Sequence, residues 1–556
     1  MNPSRGRTLS VLRHPLILAA AALIVRLVWL RVQGVTPITW DGAEYARGAL
    51  NLLQGGGFVG MRGTTAYMFP PLYSLAIAAM TLVTGHPEAA GIAVSLLCGT
   101  LLVFPVYGLA ARMYGRRAAL VAGAIIAFLP FAVDMSVVVL SESLFTLLAA
   151  TALYVLVRSL HAGGWRLGAL SGALFGLAYL TRPEGLVLGA AGVAAVVCAS
   201  ALEPGLRRRL ISCAGAMVLA LVVVGSPYVL FLSAHAHTLS IEAKSATNAA
   251  IAAGMQSGLT YIQAADGIDG NLRVVGPELD DDGYFVDGAM RRISLREKLA
   301  IILSDARRRA VDIPRKLLSK PYGTPLVALL AAIGIFAGPW RRRRIVDEIA
   351  LFGYAAALFV SLTTVYHFWD RYAFGFTPLL AVWAGHGVDA VTGTILARVR
   401  GHAALRQRAE MSIAAAVVVA AGLAMLLGSL HGFFKNDVND AATTTERTIG
   451  TWIAAHDNAP GRIMTVSDQS AFYANATWTM LPYVAHDRLA LDYVRHKDPR
   501  YLVLDRDTAD ERPYVIAWLA HGVPDPRARL VHVIGDPRSP DAAIYRWTQT
   551  PLVAAP

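Results

Sequence analysis

Pro70-Pro71-Leu72-Tyr73-Ser74-Leu75-Ala76-Ile77-Ala78-Ala79-Met80-Thr81-Leu82-Val83 is an apolar stretch whose reading decides the topology of everything after it. A helix crossing a bilayer needs about 20 mostly apolar residues. The twelve from Leu72 to Val83 are too few to span. Counted as a crossing, they would put Arg112, Arg116 and Arg117 outside and invert every later segment. Read as a helix lying in or dipping into the outer leaflet, they leave a consistent set of longer runs. These are 14–33, 89–111, 118–138, 142–158, 166–181, 185–202, 210–233, 323–340, 345–365, 373–396 and 411–431. With the N-terminus inside, four basic knots fall on the cytoplasmic side, as the positive-inside rule requires. They are Arg112, Arg116 and Arg117; Arg207 to Arg209; Arg341 to Arg344; and Arg398, Arg400, Arg406 and Arg408. The segments 34–88, 139–141, 182–184, 234–322, 366–372 and 432–556 then lie outside.

Composition agrees. Of 556 residues, 55% are hydrophobic and 16% charged, against about 25% charged in a soluble chain. Disorder, collagen-like repeats and an ordinary soluble enzyme are excluded. The net charge of +12 is accounted for by the knots, so nucleic acid is not an expected partner. Cys98, Cys198 and Cys213 all lie in apolar runs without metal-ligand spacing, which supports neither a disulfide framework nor a zinc site. The run after Arg5, Arg7 and Arg13 lacks a convincing small-residue cleavage site and reads as a retained first span. The expected fold is mainly α: a polytopic membrane protein of about eleven transmembrane helices with outer-face interfacial helices, plus a small C-terminal α/β extracytoplasmic domain. The division falls into 1–431, with outer loops 34–88 and 234–322, and 432–556. In the tail, the runs starting at Arg462 and Tyr501 read as strands and Thr443 to Ala455 as a helix. The outer loop 234–322, with Asp280 to Asp282, reads as a loop with short helices. Gly168, Gly172 and Gly176 form a small-residue stripe suited to helix packing.

Chemistry concentrates on the outer side. Thr39-Trp40-Asp41-Gly42-Ala43-Glu44-Tyr45 opens a short helix ended by Gly55, Gly56 and Gly57. Asp41, Glu44 and Tyr45 share one helical face. Asp-x-x-Glu at a helix start also fits a capping box. In Leu140-Ser141-Glu142-Ser143, Ser141 can cap a helix and Glu142 can complement its dipole. Asp134 lies just before it. Acidic groups at membrane depth are costly and usually face a polar cavity. The topology puts Asp41, Asp134 and Glu142 on one side. Arg62, Arg182, Lys244, and Arg371 with Tyr372 are cations and an aromatic on that same side, where headgroup anchoring is the plain alternative. A carboxylate can take a proton from a hydroxyl, cations can hold a departing phosphate, and aromatics can stack on sugar rings.

On these residues the chain resembles the membrane-embedded C-type glycosyltransferases, in particular the bacterial branch related to protein O-mannosyltransferases and the lipid A aminoarabinose transferase (glycosyltransferase family 39-like). The resemblance runs through Asp41-Gly-x-Glu-Tyr45, Pro70-Pro-Leu-Tyr73, Leu140-Ser-Glu-Ser-Leu144, Gly176-Leu-Ala-Tyr-Leu-Thr-Arg-Pro-Glu-Gly185 and Arg371-Tyr372 before a span containing Pro378. It implies a hexosyl- or pentosyltransferase using a polyprenyl-phosphate sugar on the outer face of a bacterial inner membrane. The acceptor would be a lipid, glycan or protein. Asp41 matches the family's catalytic base and Glu142 its second acidic position. Arg182, Lys244 and Arg371 fall where donor-phosphate contacts are expected. Inversion follows from a single displacement. No cofactor is required by the pattern. Some relatives use a divalent cation, and with Glu142 as the second acid, metal dependence stays open.

Two other classes fit parts of the sequence. A secondary transporter would explain many spans and acidic residues, but transporters place sites near the midplane between repeats, and here no repeat is visible. A non-catalytic scaffold with an outer binding domain would make Asp41 and Glu142 simple helix caps.

Overall fold

Pro130 stands in the middle of the apolar run 118–138. The computed structural model describes residues 3–34, 38–66, 68–236, 239–268, 295–319, 324–363, 369–398, 437–484 and 486–548. In it the expected single span is broken. A helix over Arg116–Phe128 ends at Leu129, which is extended (φ −64°, ψ 120°), and a short helix restarts over Pro130–Asp134. A proline has no N–H, so the carbonyl four residues earlier loses its partner. Arg26 supplies one. Fully buried, it donates to the carbonyls of Ile126 at 3.1 Å and Ala127 at 3.3 Å, and to Ala132 at 3.4 Å and Ala22 at 3.1 Å. A buried guanidinium is tolerated here because it satisfies carbonyls that the break exposes.

The helices run α1 (Pro3–Gln33), α2 (Trp40–Leu53), α3 (Leu72–Thr84), α4 (Pro87–Leu101), α5 (Val103–Met113), α6 (Arg116–Phe128), α7 (Pro130–Asp134), α8 (Glu142–Ala162) and α9 (Trp165–Tyr179). They continue with α10 (Glu184–Leu202), α11 (Arg207–Ala236), α12 (Lys244–Gln256), α13 (Tyr261–Asp266), α14 (Leu295–Ser319), α15 (Thr324–Phe336), α16 (Arg342–Thr363) and α17 (Thr377–Arg398). Among the described residues, Arg13–Gln33, Pro87–Met113, Glu142–Ala162, Glu184–Leu202, Pro204–His235 and Arg342–Thr363 are long and apolar enough to cross a membrane. The expected spans near 166–181, 323–340 and 373–396 are helical as α9, α15 and α17. The run 411–431 lies outside the described residues, as do Asp280 to Asp282. Within 234–322, α14 has 25 residues, longer than the short helices the sequence suggested.

The short apolar stretch is α3, a 13-residue helix closed by Gly85 at φ 74°. Gly168, Gly172 and Gly176 put the backbone of α9 directly against α11, where an added Cβ would strike Cys213, Met217 and Val224. The ends of the bundle are chemically different. At one end the basic knots find local partners: Arg116 meets His14 at 2.6 Å, Arg117 meets Asp389 at 3.8 Å and Arg342 meets Glu203 at 3.2 Å. The start of α8, one helix length away, belongs to the other end.

The tail forms a five-stranded sheet in the order β2-β1-β3-β5-β4. The strands are β1 (Arg462–Thr465), β2 (Thr477–Met480), β3 (Tyr501–Asp505), β4 (Ala528–Asp536) and β5 (Ser539–Trp547). β1 runs parallel to β2 and β3, and β5 is antiparallel to β3 and β4. The two strands read from the sequence are β1 and β3, and the expected helix lies within Asp437–His456. This unit shares a core with the first outer loop: Ile38, Tyr45, Met61 and Tyr73 pack in one cluster with Ile463, Trp478 and Tyr493.

Replacing Arg26 by Met should strand carbonyls around the Pro130 break. We expect a loss of about 2–4 kcal/mol, from unpaired buried polar groups, read as a lower thermal midpoint in detergent. An unchanged midpoint would show that the guanidinium is not what satisfies them.

Candidate active site

The start of α2 is set by Thr39, not by its acidic residues. Thr39 is extended (φ −76°, ψ 165°), and its hydroxyl accepts from the Gly42 N–H at 3.1 Å and donates to the Val139 carbonyl at 3.2 Å. That fills the cap position. The capping-box alternative for Asp41 and Glu44 therefore fails. Gly42 allows the approach, because a Cβ there would lie 2.7 Å from the Val139 oxygen. The chain leading into α8 is thus pressed on the first turn of α2. Ser141 does not cap α8 either. Its hydroxyl accepts from Tyr45 at 3.1 Å.

Neither Asp41 nor Glu142 is taken up by a helix cap, and both carboxylates face cations. Arg371, in the short 3-10 helix Asp370–Phe376, donates to Asp41 at 2.5 Å and its Nε lies 3.6 Å from Glu142. Arg182 bridges Glu142 at 2.9 Å and Glu184 at 3.2 Å. Both guanidiniums lie over the Tyr372 ring, at 5.1 Å for Arg182 and 5.4 Å for Arg371. Lys244, at the start of α12, sits 4.2 Å over the Phe69 ring. The Phe69 ring in turn packs edge-on to Tyr45. Three carboxylates and three cations therefore gather from segments spread between residues 41 and 371. Burial alone would raise the Asp41 carboxyl, but Arg371, Lys244 and Arg182 outweigh it and hold it below its usual value. Burial lowers the Lys244 ammonium, which Asp41 only partly restores. Among the described residues, no three His, Cys, Asp or Glu converge in a way that could hold a metal ion.

Residues 69–229 match the family model described as dolichyl-phosphate-mannose-protein mannosyltransferase. No curated protein matches the chain by sequence. Among solved structures, ArnT from Cupriavidus metallidurans in the apo state is 15% identical, with a TM-score of 0.57 over 95% of this chain and 97% of that one. The same protein bound to undecaprenyl phosphate is 14% identical, with a TM-score of 0.56 and the same coverage, 95% and 97%. The Archaeoglobus fulgidus oligosaccharyltransferase in the apo form is 16% identical, with a TM-score of 0.59 over 91% of this chain and 71% of that one. The chain has the C-type glycosyltransferase fold.

On that fold the remaining sequence candidates divide. Asp41, Glu142, Tyr45, Arg182, Lys244, Arg371 and Tyr372 surround one place. Glu44 turns away to accept the Met61 N–H at 2.9 Å, tying the loop 58–66 onto α2. Arg62 lies 4.6 Å over the Trp478 ring, toward the C-terminal unit. Asp134 is half-buried at the end of α7, where its carbonyl accepts from Val137 at 3.2 Å. Three residues were missed. Thr39 was legible as a hydroxyl one position before a helix. Glu184 was legible as an acid two residues from Arg182. Asp468 gave no signal, being 427 residues from Asp41 in the chain.

Asp468 is 2% exposed, and burial followed by Glu44 and Glu446 pushes its carboxyl well above the ordinary range. Glu446, on the helix Asp437–His456, is pushed up to about 7 by burial and by Asp505 and Asp507. A raised carboxyl favours the folded state only while protonated. Its contribution is complete below the unfolded value of 4.5 and is lost as pH rises to about 7. Glu446→Gln should therefore raise the thermal midpoint at pH 8, by up to about 3 kcal/mol of stability, and leave it unchanged near pH 4. A gain of equal size at both pH values would contradict this account.

Proposed function

We propose that the chain is a membrane glycosyltransferase that moves a sugar from a polyprenyl-phosphate donor to an acceptor hydroxyl on the extracytoplasmic face. One observation carries this reading. Asp41, a carboxylate kept ionised, stands 2.5 Å from Arg371 in a balanced cluster of acids and cations, at the end of the bundle away from the basic knots. The family-model match supports it, and so does the undecaprenyl phosphate bound by a protein of the same fold.

In this mechanism the donor phosphate is held by Arg371, Arg182 and Lys244. Asp41 takes the proton of the acceptor hydroxyl as its oxygen bonds to the anomeric carbon. The bond from that carbon to the phosphate oxygen breaks, and its electron pair leaves with the lipid phosphate, which the cations stabilise. Attack opposite the leaving group inverts the anomeric centre. Glu142 holds both arginines in place, Tyr45 and Tyr372 wall the site, and Glu44 and Arg62 fix the loop that closes it. Asp134 borders the same end. The sheet unit, 432–556, docks on the catalytic unit, 1–431, and contributes to acceptor choice. The protein resides in a bacterial inner membrane with its N-terminus cytoplasmic and its C-terminal unit outside. A site at one end of the bundle argues against a transporter with a midplane site.

Asp41→Asn should lower transfer from a synthetic polyprenyl-phosphate sugar by at least about 100-fold, the usual weight of a general base, with yield and thermal midpoint retained. Mass spectrometry of envelope glycans from cells carrying this variant should show loss of one sugar of defined mass. Turnover like the wild type would remove Asp41 from its role.

A further inference from the structure

Arg371 is held less completely than Arg182. Arg182 has two carboxylates, Glu142 at 2.9 Å and Glu184 at 3.2 Å, one on each side of its fork. Arg371 has one close partner, Asp41, and its contact with Glu142 is long, at 3.6 Å. Its Nε is buried without a hydrogen-bond acceptor, and the second carboxylate oxygen of Glu142 is buried without a donor. Asp41 is the open side of the pair, 28% exposed, whereas Glu142 is 4% exposed. An anion arriving at this end therefore meets a part-exposed guanidinium joined to the most exposed carboxylate of the cluster. A phosphate offers several acceptor oxygens and matches the fork of an arginine. It cannot take that fork while Asp41 keeps it.

We infer that Asp41 and the donor phosphate compete for Arg371, so that in the empty protein the base is tied up by the group meant for the donor and donor arrival releases it. This rests on the glycosyltransferase reading and adds an order to it. With Arg371 on Asp41, the carboxylate is a poor proton acceptor and faces its partner. With Arg371 on the phosphate, Asp41 turns its free oxygens to the acceptor hydroxyl. Arg182 keeps Glu142 and Glu184 throughout and adds its charge to the phosphate site without changing partners. The exchange trades one ion pair for another, and the carboxylate it releases stays within the field of Lys244 and Arg182, whose charges also act on Asp41. A base that is freed only when the sugar donor is present does not act on water or acceptor in its absence. Arg371 is in this sense a positioning residue for Asp41 as well as a phosphate ligand.

The test measures binding of undecaprenyl phosphate to the purified full-length protein in detergent. Wild type is compared with Asp41→Asn, Glu184→Gln, Arg371→Gln and the double variant Asp41→Asn/Arg371→Gln. Each is first checked for its thermal midpoint, and Asp41→Ser provides a second way to remove the competitor. The exchange predicts that removing Asp41 tightens binding by roughly five- to tenfold, the low end of common coupling between sites. Glu184→Gln, which removes an equal charge from Arg182, should give clearly less. The gain from Asp41→Asn should vanish in the Arg371→Gln background. Unchanged or weaker binding by Asp41→Asn would overturn the exchange and leave the glycosyltransferase reading standing. A gain that persists without Arg371 would also overturn it, since plain removal of negative charge would then suffice. No saturable binding by the wild type would overturn the glycosyltransferase reading, and the exchange with it.

Discussion

Charge neutrality at one end of an apolar bundle is the constraint on which this structure turns. Asp41, Glu142 and Glu184 could not be held at the mouth of a helix bundle without partners, because sheltered charges are costly unless paired. Arg371 and Arg182 meet that demand, each lying between carboxylates of different elements. The pairing fixes where α2, α8, α10 and the turn 370–376 end relative to one another. On the proposed function, the same arrangement, shifted by one phosphate, takes a lipid-linked anion. Structural need and chemical use are thus met by the same side chains, which is why a helix-cap reading and a catalytic reading of Asp41 looked alike before the geometry was known.

How far the sequence could be read depended on the range of the interaction. Hydropathy is summed over local runs, so the helices of the bundle, the short α3 and the two parallel strands β1 and β3 were legible. Pro130 was visible as a breaker, but nothing local tied it to Arg26, 104 positions earlier. Of the acids grouped from the sequence, Asp41 and Glu142 meet in the cluster, Asp134 does not, and Glu184 was not among them. Arg371 reaches Asp41 across 330 residues, and no spacing rule spans that distance. Thr39 was a missed local signal: a hydroxyl before Trp-Asp-Gly should have outranked Asp41 for the cap.

The C-terminal sheet is more than an appendage. The Ile38 N–H donates to the Tyr473 hydroxyl at 2.8 Å, and the Gln469 side chain donates to the Ile38 carbonyl. The Trp478 N–H donates to the Met61 carbonyl at 2.8 Å, and Arg47 reaches Asn475 at 2.7 Å. Glu88, at the start of α4, takes both Arg447 at 2.6 Å and Tyr473 at 2.8 Å. These bonds hold Ile38, three residues before Asp41, and the loop Glu44 pins, against the C-terminal unit. A shift of the sheet would therefore move the first turn of α2, and with it the carboxylate that faces Arg371. Trp40, half-exposed and edge-on to Trp478 at 5.8 Å, stands at the seam between the two. On the proposed function, an acceptor that binds the sheet side has a direct mechanical path to Asp41 through residues 38–41, without passing through the membrane helices at all. Acceptor choice can then vary with the sheet while the acid–cation cluster below it stays the same.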